Sequence, residues 1–473
     1  VINGDTYTII DRDILNEMLE QGEDVTKVCT TFITDLSHLN AYLPNDGVGD
    51  FSWANVSFNQ DIGSWDVSNV TQMVSTFYSL FSFDQDISDW DVSNVTNMSW
   101  MFSSAANFNQ PLNDWDVSNV TNMSHMFSGA CMSEGDSFNQ PLDNWDVSGV
   151  TDMSHMFACS TFNQDISVWN VSNVENMSNM FSSALNFAQP LNDWDVSNVT
   201  NMSVMFASSN FNQPLDNWNV TNVTDMSAMF YYTTSFNQNI STWDVSSVYS
   251  MSSMFQNSQA FNQDISNWNV GNVTNMQYMF GYSQAFNQDI SNWNVGNVVN
   301  MSWMFYFAEA FNQDLSSWNV NNVLLSTNFC SQAEQYVLPA PNFITEDWIG
   351  ACNCPLGDYL IQMWDGYGDG WNEGGGGSGI LQMCVDDICE NYTVSEGNYN
   401  QVVVNVETNS SIYWLWYGDA FANEVVFSIT TPSGNQFLYK GAEQLTLYSN
   451  GLFPENVDSA VLITPGIVPV MCN

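Results

Sequence analysis

Hydrophobic residues recur along most of the chain in one repeated order, which a single copy shows clearly. Between residues 261 and 280 the apolar side chains are those of Phe261, Ile265, Trp268, Val270, Val273, Met276, Met279 and Phe280. The alternation that ends at Trp268 and Val270 predicts a short strand with one buried face. The later spacings of three and four residues predict one α-helical or 3₁₀ turn. Polar corners such as Asn262-Gln263 are expected to hydrogen-bond to the backbones of neighbouring copies.

One tryptophan marks each copy of this pattern. The anchors are Trp65, Trp90, Trp115, Trp145, Trp169, Trp194, Trp218, Trp243, Trp268, Trp293 and Trp318. Neighbouring anchors are 24 or 25 residues apart, with one spacing of 30. Repeats of this length bury their apolar faces on one another. The sequence therefore predicts a repeat solenoid of about eleven coils over residues 51–325, with a parallel β-sheet and short helical turns.

The pattern degenerates at both ends of this stretch, as the closure of an open core requires. Residues 1–50 are expected to form an N-terminal cap, with an amphipathic helix over residues 11–21. Val28, Ile33, Leu36 and Leu39 would form a degenerate coil in the places of Trp, Val, Met and Met. Ser326 stands where the next Met is expected, so residues 326–354 are interpreted as a C-terminal cap and linker.

Residues 355–473 have a different pattern, in which short apolar runs alternate with Gly-rich and Ser/Asn-rich turns. The runs are Tyr359–Met363, Ile380–Cys384, Gln401–Val406, Ile412–Trp416, Glu424–Ile429 and Gln436–Tyr439. Runs of this length and spacing are typical of an all-β sandwich.

The charge balance excludes most nucleic-acid-binding proteins. The chain has 3 Lys+Arg against 51 Asp+Glu, and its net charge is −48. Neutralising phosphates, or binding anionic lipid headgroups, requires clustered basic residues. The chain is nevertheless 44% hydrophobic, which is ample for buried cores. No apolar run approaches the roughly 18 residues that span a bilayer.

Nine cysteines, none in a zinc pattern with histidine, favour a secreted protein with disulfides. The first residue is Val1, so either a secretion signal has been removed or the numbering begins within a longer precursor. Cys131 and Cys159 fall at the corners of adjacent copies and are predicted to pair across a five-residue insertion.

The repeated phrase FNQDIS-W-DVSNVTNM-MF resembles the BspA-like surface-protein repeats, leucine-rich-repeat relatives first catalogued in mycoplasma lipoproteins. The opening YTIIDRDILNEMLEQGEDVTKVCTTFITDLSHL resembles the leader that precedes such repeats in secreted marine bacterial proteins. The resemblance covers about residues 5–325. It implies an extracellular or cell-surface protein of adhesive or structural type, and it implies no catalytic residues.

An acidic column follows the tryptophans. The position after the anchor is acidic in six copies, at Asp66, Asp91, Asp116, Asp146, Asp195 and Asp244, and Asn in the others. A side chain between inward Trp and Val is expected to point outward. Carboxylates in neighbouring copies would lie about 5 Å apart and repel one another by about 1 kcal/mol or more. The column is interpreted as a site for divalent ions, a face for an electropositive or ion-bridged partner, or a solvated face with diffuse counterions.

The stretch DYLIQMWDGYGDGWNEGG at the start of the last domain resembles small β-sandwich modules with a DxxGDGWNG signature. It places oxygen donors on a Gly-rich turn, as calcium requires. The predicted calcium ligands are Asp365, Asp369 and Asn372, with Glu424 from a later strand. The alternative is a tight hairpin turn with a structural Asp.

Two further patterns have competing interpretations. His125 and His155 share one position in adjacent copies, and stacked imidazoles can hold a metal ion. That position is variable elsewhere, which favours an ordinary outer site. Asn-x-Ser/Thr sequons abound. Those in the repeat phrase have possible structural causes, whereas Asn391 and Asn409 lie outside it and are the less ambiguous glycosylation candidates.

No hydrolase or nucleotide-binding motif is present, so the sequence predicts a non-catalytic protein. The favoured function is structural or adhesive, with calcium-assisted contacts to other copies, glycans or surface proteins, including assembly into an extracellular filament or sheath. The alternative is a monomeric carbohydrate- or protein-binding adhesin. Its stacking platforms would be aromatic residues of the last domain: Trp364, Tyr367, Trp371 or Trp416.

Overall fold

The computed structural model describes residues 6–39, 58–130, 137–333, 335, 336, 338, 340, 341 and 343, together with the backbone of the strands between residues 357 and 468. The chain divides into two compact units, Val1–Gln288 and Asp289–Asn473.

The first unit begins with a strand–helix–strand segment. Strand β1 (Thr8–Ile9) pairs in parallel with β2 (Val28–Cys29), and helix α1 (Arg12–Glu20) lies between them in sequence. Asp11 caps the helix by accepting a hydrogen bond from the N–H of Ile14 (3.0 Å). The helix buries Leu15 and Leu19 and ends before Gln21. The helix predicted over residues 11–21 is confirmed.

The degenerate coil that follows is joined to the first full repeat. Val28, Ile33, Leu36 and Leu39 are all buried. The N–H of Leu36 donates to the carbonyl of Gln72 (2.9 Å), in register with the bonds that join later copies. The four residues therefore occupy the core positions expected for them.

Successive copies of the first unit are joined by single parallel bridges rather than by strands. Each copy contributes one bridging residue, which lies seven positions after its tryptophan, or after Val28 in the degenerate coil. The bridges pair Asp35–Gln72, Gln72–Asn97, Asn97–Asn122, Asn122–Asp152, Asp152–Asn176, Asn176–Asn201, Asn201–Asp225, Asp225–Ser250 and Ser250–Asn275. The strand expected to end at Trp268 and Val270 is not there. A turn replaces it, closed by the N–H of Trp268 on the carbonyl of Ile265 (3.1 Å).

The predicted helical turn is also wrong in detail. The N–H of Met279 does bond to the carbonyl of Met276 (3.1 Å), but Tyr278 between them has a φ of 55°. A left-handed residue cannot continue a right-handed helix. The corresponding residues of other copies, such as Trp100, His125 and Val204, share this conformation, so the copies contain isolated turns.

These turns leave alternate backbone N–H groups free to bond to the next copy. In one copy, Met98, Trp100, Phe102 and Ser104 donate to the carbonyls of Asn122, Ser124, Met126 and Ser128 over 2.8–3.0 Å. The N–H of Thr96 points the other way, to the carbonyl of Thr71 (2.9 Å). Backbone hydrogen bonds therefore link each copy to the copies on both sides.

Aromatic columns fill the interior of the first unit. Trp65 and Trp90 stack with ring centroids 6.3 Å apart, and Phe102 and Phe127 stack at 5.6 Å. The tryptophans are also hydrogen-bonded, as when Nε1 of Trp169 donates to the carbonyl of Leu142 (2.9 Å). Asn262 accepts from the N–H of Asn287 (3.0 Å), which is the inter-copy bond expected at this corner. Each copy thus contributes both apolar area and buried hydrogen bonds.

The second unit contains the last copies and their aromatic closure. Trp293 and Trp318 stack at 6.4 Å, and Asn300 bridges Leu325. Beyond them the pattern changes: the ring of Phe329 meets that of Phe343 edge-on at 5.0 Å, and Tyr336 is buried. Burial raises the pKa of the Tyr336 hydroxyl, which therefore stays protonated.

The rest of the second unit forms two antiparallel sheets. Their strands are β3 (Gly357–Asp365), β4 (Ile380–Val385), β5 (Ile388–Tyr392), β6 (Tyr399–Val406), β7 (Ile412–Tyr417), β8 (Val425–Thr430), β9 (Gln436–Lys440), β10 (Leu445–Tyr448) and β11 (Gly466–Val468). One sheet has the order β10-β9-β8-β3-β6 and the other β11-β7-β4-β5. The six apolar runs of the sequence overlap β3, β4 and β6–β9.

Candidate functional site

The acidic column consists of exposed turn residues, not of a sheet face. Asp116 shows the geometry: its Oδ1 accepts from the N–H of Ser118 (3.1 Å) and from the hydroxyl of Ser118 (2.6 Å). The neighbouring Trp115 and Val117 are buried. The outward direction expected for the carboxylate is therefore correct, but a side-chain-capped turn produces it.

These hydrogen bonds favour the ionised carboxylates. Bonds from the serine two residues later lower the pKa values of Asp66, Asp116, Asp146 and Asp244, and Thr31 adds a further bond to Asp66. The charge of Asp146 opposes the shift at Asp116, which places these two carboxylates within electrostatic reach of one another. These four carboxylates are therefore anionic at neutral pH.

Asparagine interrupts the column, so the structure does not bring all six carboxylates together. Asn170 separates Asp146 from Asp195, and Asn219 separates Asp195 from Asp244. Among the described residues, no group of three or more His, Cys, Asp or Glu side chains is placed to hold a metal ion. The column can attract cations along its length, but its described carboxylates do not chelate one as a compact group.

The predicted calcium ligands lie mostly outside the described residues. Asp365 is the last residue of β3 and pairs with Val425, the first residue of β8. Glu424 immediately precedes Val425 in sequence, which fits its proposed contribution from a later strand. Asp369, Asn372 and Glu424 themselves lie outside the described part of the chain.

The aromatic candidates of the last domain do not share one sheet. Trp364 lies in β3 of the five-stranded sheet and pairs with Tyr399 and Val426. Trp416 lies in β7 of the four-stranded sheet. Tyr367 and Trp371 are outside the described residues. Of the glycosylation candidates, Asn391 lies in the edge strand β5 and Asn409 is outside the described residues.

The histidine pair forms an aromatic stack. The rings of Trp100 and His125 are 3.6 Å apart, and those of His125 and His155 are 4.0 Å apart with an interplanar angle of 11°. Nitrogen lone pairs lie in the ring plane, so parallel rings do not aim two lone pairs at one ion. Burial, and secondarily His155, lowers the pKa of His125 to about 4. Burial likewise lowers the pKa of His155. The arrangement fits neutral stacking better than a metal site.

Two of the cysteines in the described copies, Cys159 and Cys330, are disulfide-bonded. Cys131, the predicted partner of Cys159, lies outside the described residues. Cys29 is a free thiol. The pairing of Cys131 with Cys159 therefore stays a prediction.

The repeated Asn-Val-Thr phrase forms two further polar columns. Nδ2 of Asn94 donates to the carbonyl of Ser68 in the preceding copy (2.8 Å), and the hydroxyl of Thr96 donates to the carbonyl of Thr71 (3.2 Å). Six sequon asparagines make the same bond: Asn69, Asn94, Asn119, Asn198, Asn222 and Asn272. These sequons thus have a structural cause.

A shallow polar groove interrupts these columns in the first unit. Its volume is about 620 Å³, and it is lined by Gly149, Thr151, Asn173, Glu175, Asn198, Thr200 and Asn222. Gly149 stands where most other copies have Asn, and Glu175 stands where most others have Thr. The groove was not predicted from the sequence, although these two departures in adjacent copies were its signal.

The comparisons with known proteins identify one family. A single family model matches three overlapping stretches, residues 49–158, 130–243 and 230–343, and is described as Mycoplasma protein of unknown function, DUF285. Together the stretches cover more than half of the chain. No curated protein and no solved structure matches the chain.

Proposed function

The chain belongs to the family described as Mycoplasma protein of unknown function, DUF285, and on that basis we propose that it is a secreted, non-catalytic repeat protein of the cell surface. We assign its repeats to the BspA-like leucine-rich type and its fold to a capped solenoid followed by a β-sandwich. Its function is structural or adhesive. The proposal assigns no catalytic residue.

The observation that carries this proposal is the regular hydrogen bonding between copies. Backbone, Trp, Asn and Thr donors are used on neighbouring repeats, as Trp169 and Asn94 illustrate. Such bonding couples each repeat to its neighbours and repeats the same surface chemistry at each step. The disulfides at Cys159 and Cys330 favour an oxidising compartment. No helix among the described residues is both long enough and apolar enough to span a bilayer.

We further propose that copies assemble head to tail with the help of calcium. A chain whose two ends present different surfaces can make heterologous contacts with other copies, and these generate open filaments. Calcium bound by Asp365, Asp369, Asn372 and Glu424 would order the last domain, and its charge would offset part of the net charge of −48. Assembly into a filament or sheath is the form of structural role that we favour.

Negative-stain electron microscopy of the full chain tests this proposal. Filaments or sheets are expected in millimolar calcium, and they should dissolve in excess chelator. The double variant Asp365→Ala/Asp369→Ala should fail to assemble. Asp358→Ala, at the opposite end of β3, removes a carboxylate outside the proposed site and should assemble normally. Short single particles under both conditions would refute calcium-assisted assembly.

The second candidate is a monomeric adhesin that binds a carbohydrate or a protein. The polar groove beside Gly149 and Glu175 favours it, because a concave surface with exposed hydrogen-bonding groups suits a ligand. A monomer in calcium that retains a glycan or peptide ligand would support this candidate.

A further inference from the structure

The groove beside Gly149 presents far more hydrogen-bond acceptors than donors. The hydroxyl of Thr151 donates to the carbonyl of Thr121 (3.2 Å), and that of Thr200 to the carbonyl of Glu175 (3.1 Å). Each hydroxyl has only one proton, so both oxygens face the groove as acceptors. The groove is therefore expected to bind a ligand that donates hydrogen bonds.

The asparagines of the groove have likewise used half of their donor capacity. Nδ2 of Asn173, Asn198 and Asn222 donates to the carbonyls of Ser148, Ser172 and Ser197, each over 2.8 Å. One N–H remains on each amide, whereas both lone pairs of each amide oxygen remain available. These bonds also fix the orientation of the side chains, so little rotamer entropy is lost when a ligand binds.

Gly149, which lines the groove, lies beside a backbone acceptor that has lost its usual donor. An added Cβ at Gly149 would lie 3.1 Å from the carbonyl oxygen of Ser118. In other copies an Asn at this position donates to the serine carbonyl of the preceding copy, as Asn119 does to Ser93. Glycine has no such donor, and no hydrogen bond to the Ser118 carbonyl is found among the described residues. The substitution both opens the groove and exposes an acceptor.

Glu175 is the one charged residue in the column that the threonines of the repeated Asn-Val-Thr phrase form in the sequence. Its side chain is exposed, and no hydrogen bond or ion pair of its carboxylate is found within the described ranges. The whole chain has only 3 Lys+Arg residues against its 51 acids, so a cation for Glu175 must come from outside. The ligand is thus expected to be positively charged and rich in donors.

We infer that this groove binds the ammonium or guanidinium group of a basic segment on a partner protein. A Lys or Arg side chain would place its charge against the Glu175 carboxylate and donate to the surrounding amide, hydroxyl and Ser118 carbonyl oxygens. The net charge of −48 would steer such a segment toward the chain. This inference deepens the adhesive role proposed above and rests on it.

A fluorescein-labelled tri-lysine peptide, titrated against the full chain and followed by fluorescence anisotropy at about 150 mM salt, tests the inference. Glu175→Thr restores the residue of neighbouring copies, and Gly149→Asn fills the groove with their amide. Each should weaken binding about tenfold, as expected for loss of a charge-assisted contact. Asp264→Asn makes the same charge change outside the groove and outside the acidic column, at a position where the preceding copy has Asn239, and should alter binding less than about twofold. The Nε-acetylated peptide should not bind.

Equal losses in Glu175→Thr and Asp264→Asn would overturn the inference, because they would show diffuse attraction to the acidic chain. Binding of neutral maltotriose that Gly149→Asn abolishes and Glu175→Thr leaves intact would also overturn it, in favour of a polyol site. Thermal unfolding of each variant checks that the fold is kept. Filaments that form normally with no tri-lysine binding would refute this inference alone, whereas binding without filaments would refute only the assembly.

Discussion

Trp90 donates its indole N–H to the carbonyl oxygen of Ile62 across 3.1 Å, and so joins two successive repeats inside the core. The ring also stacks on Trp65, with centroids 6.3 Å apart. One side chain therefore supplies apolar burial and satisfies a backbone acceptor that water does not reach. Both contributions are made at the boundary between copies, where a repeat protein gains its cooperativity.

The first prediction removes that hydrogen bond. Trp90→Phe should lower the free energy of unfolding by about 1 kcal/mol, because the indole bond is lost and the Ile62 carbonyl keeps only its bond from the N–H of Trp65 (3.0 Å). Urea unfolding followed by circular dichroism measures the change. Trp100→Phe is the matched control, since Trp100 is 37% exposed and should cost less. Equal losses at the two sites would contradict the assigned role of the indole bond.

The second prediction concerns the histidine stack. The ordinary pKa of histidine is 6.5, and that of folded His125 is about 4, so the unfolded chain binds more protons between these values. Stability should therefore fall as the pH is lowered from 6.5 to 4. The stability of the double variant His125→Asn/His155→Asn should depend less on pH over this window, because asparagine does not titrate. Asn179 has the same left-handed conformation at this position of the next copy, so asparagine fits there. Urea midpoints at pH 7 and pH 4.5 provide the comparison.

The third prediction tests the capped turns of the acidic column. Ser118→Ala removes the hydroxyl that donates to Asp116 and should raise the pKa of that carboxyl toward 3.8. The sign for stability follows: the contribution of this carboxylate is present above pH 3.8 and is lost as the pH falls through its lower folded-state pKa. Carboxyl NMR titration measures the shift. Ser124→Ala, whose backbone N–H bonds instead to Asn122, should leave the pKa of Asp116 unchanged.

The fourth prediction concerns the left-handed turn residues. Val204 has a φ of 62°, a conformation that is costly for a β-branched side chain, whereas Asn179 has a φ of 59° at the same position of the preceding copy. Val204→Asn should stabilise the chain by about 1 kcal/mol, and Asn179→Val should destabilise it by a similar amount. Chemical denaturation of the two reciprocal variants tests the assignment. A change in the free energy of unfolding of the same sign in both variants would contradict the cost assigned to valine in this conformation.

The repeat pattern predicted which residues are buried better than it predicted the backbone. Phe261, Trp268 and Met276 are buried as expected, because a fixed period of apolar residues specifies an inward position whatever the local conformation. The period does not specify φ. The left-handed residues, Val204 among them, are not glycines, so nothing in the sequence marked the points at which a helical turn is interrupted.

In the candidate sites, too, the sequence predicted the direction of side chains better than the local backbone geometry. The outward direction of Asp116 followed from its buried neighbours Trp115 and Val117, but the serine that lowers its pKa required the turn geometry. The groove was not predicted because neither Gly149 nor Glu175 forms a recognisable motif. Only their joint departure, in adjacent repeats, from the Asn and Thr of most other copies indicates a local change of surface.

The bonds that join the copies also determine how the chain responds to force. Each copy of the first unit is held to its neighbours by many hydrogen bonds, of which the Met98 and Trp90 bonds are examples, in addition to the backbone that connects the copies in sequence. Tension applied to the two ends would load these bonds copy by copy rather than all at once. Each copy of about 25 residues that detaches would release roughly 80–90 Å of chain. Stretching should therefore proceed in regular steps, so that the protein yields gradually under a pull instead of breaking.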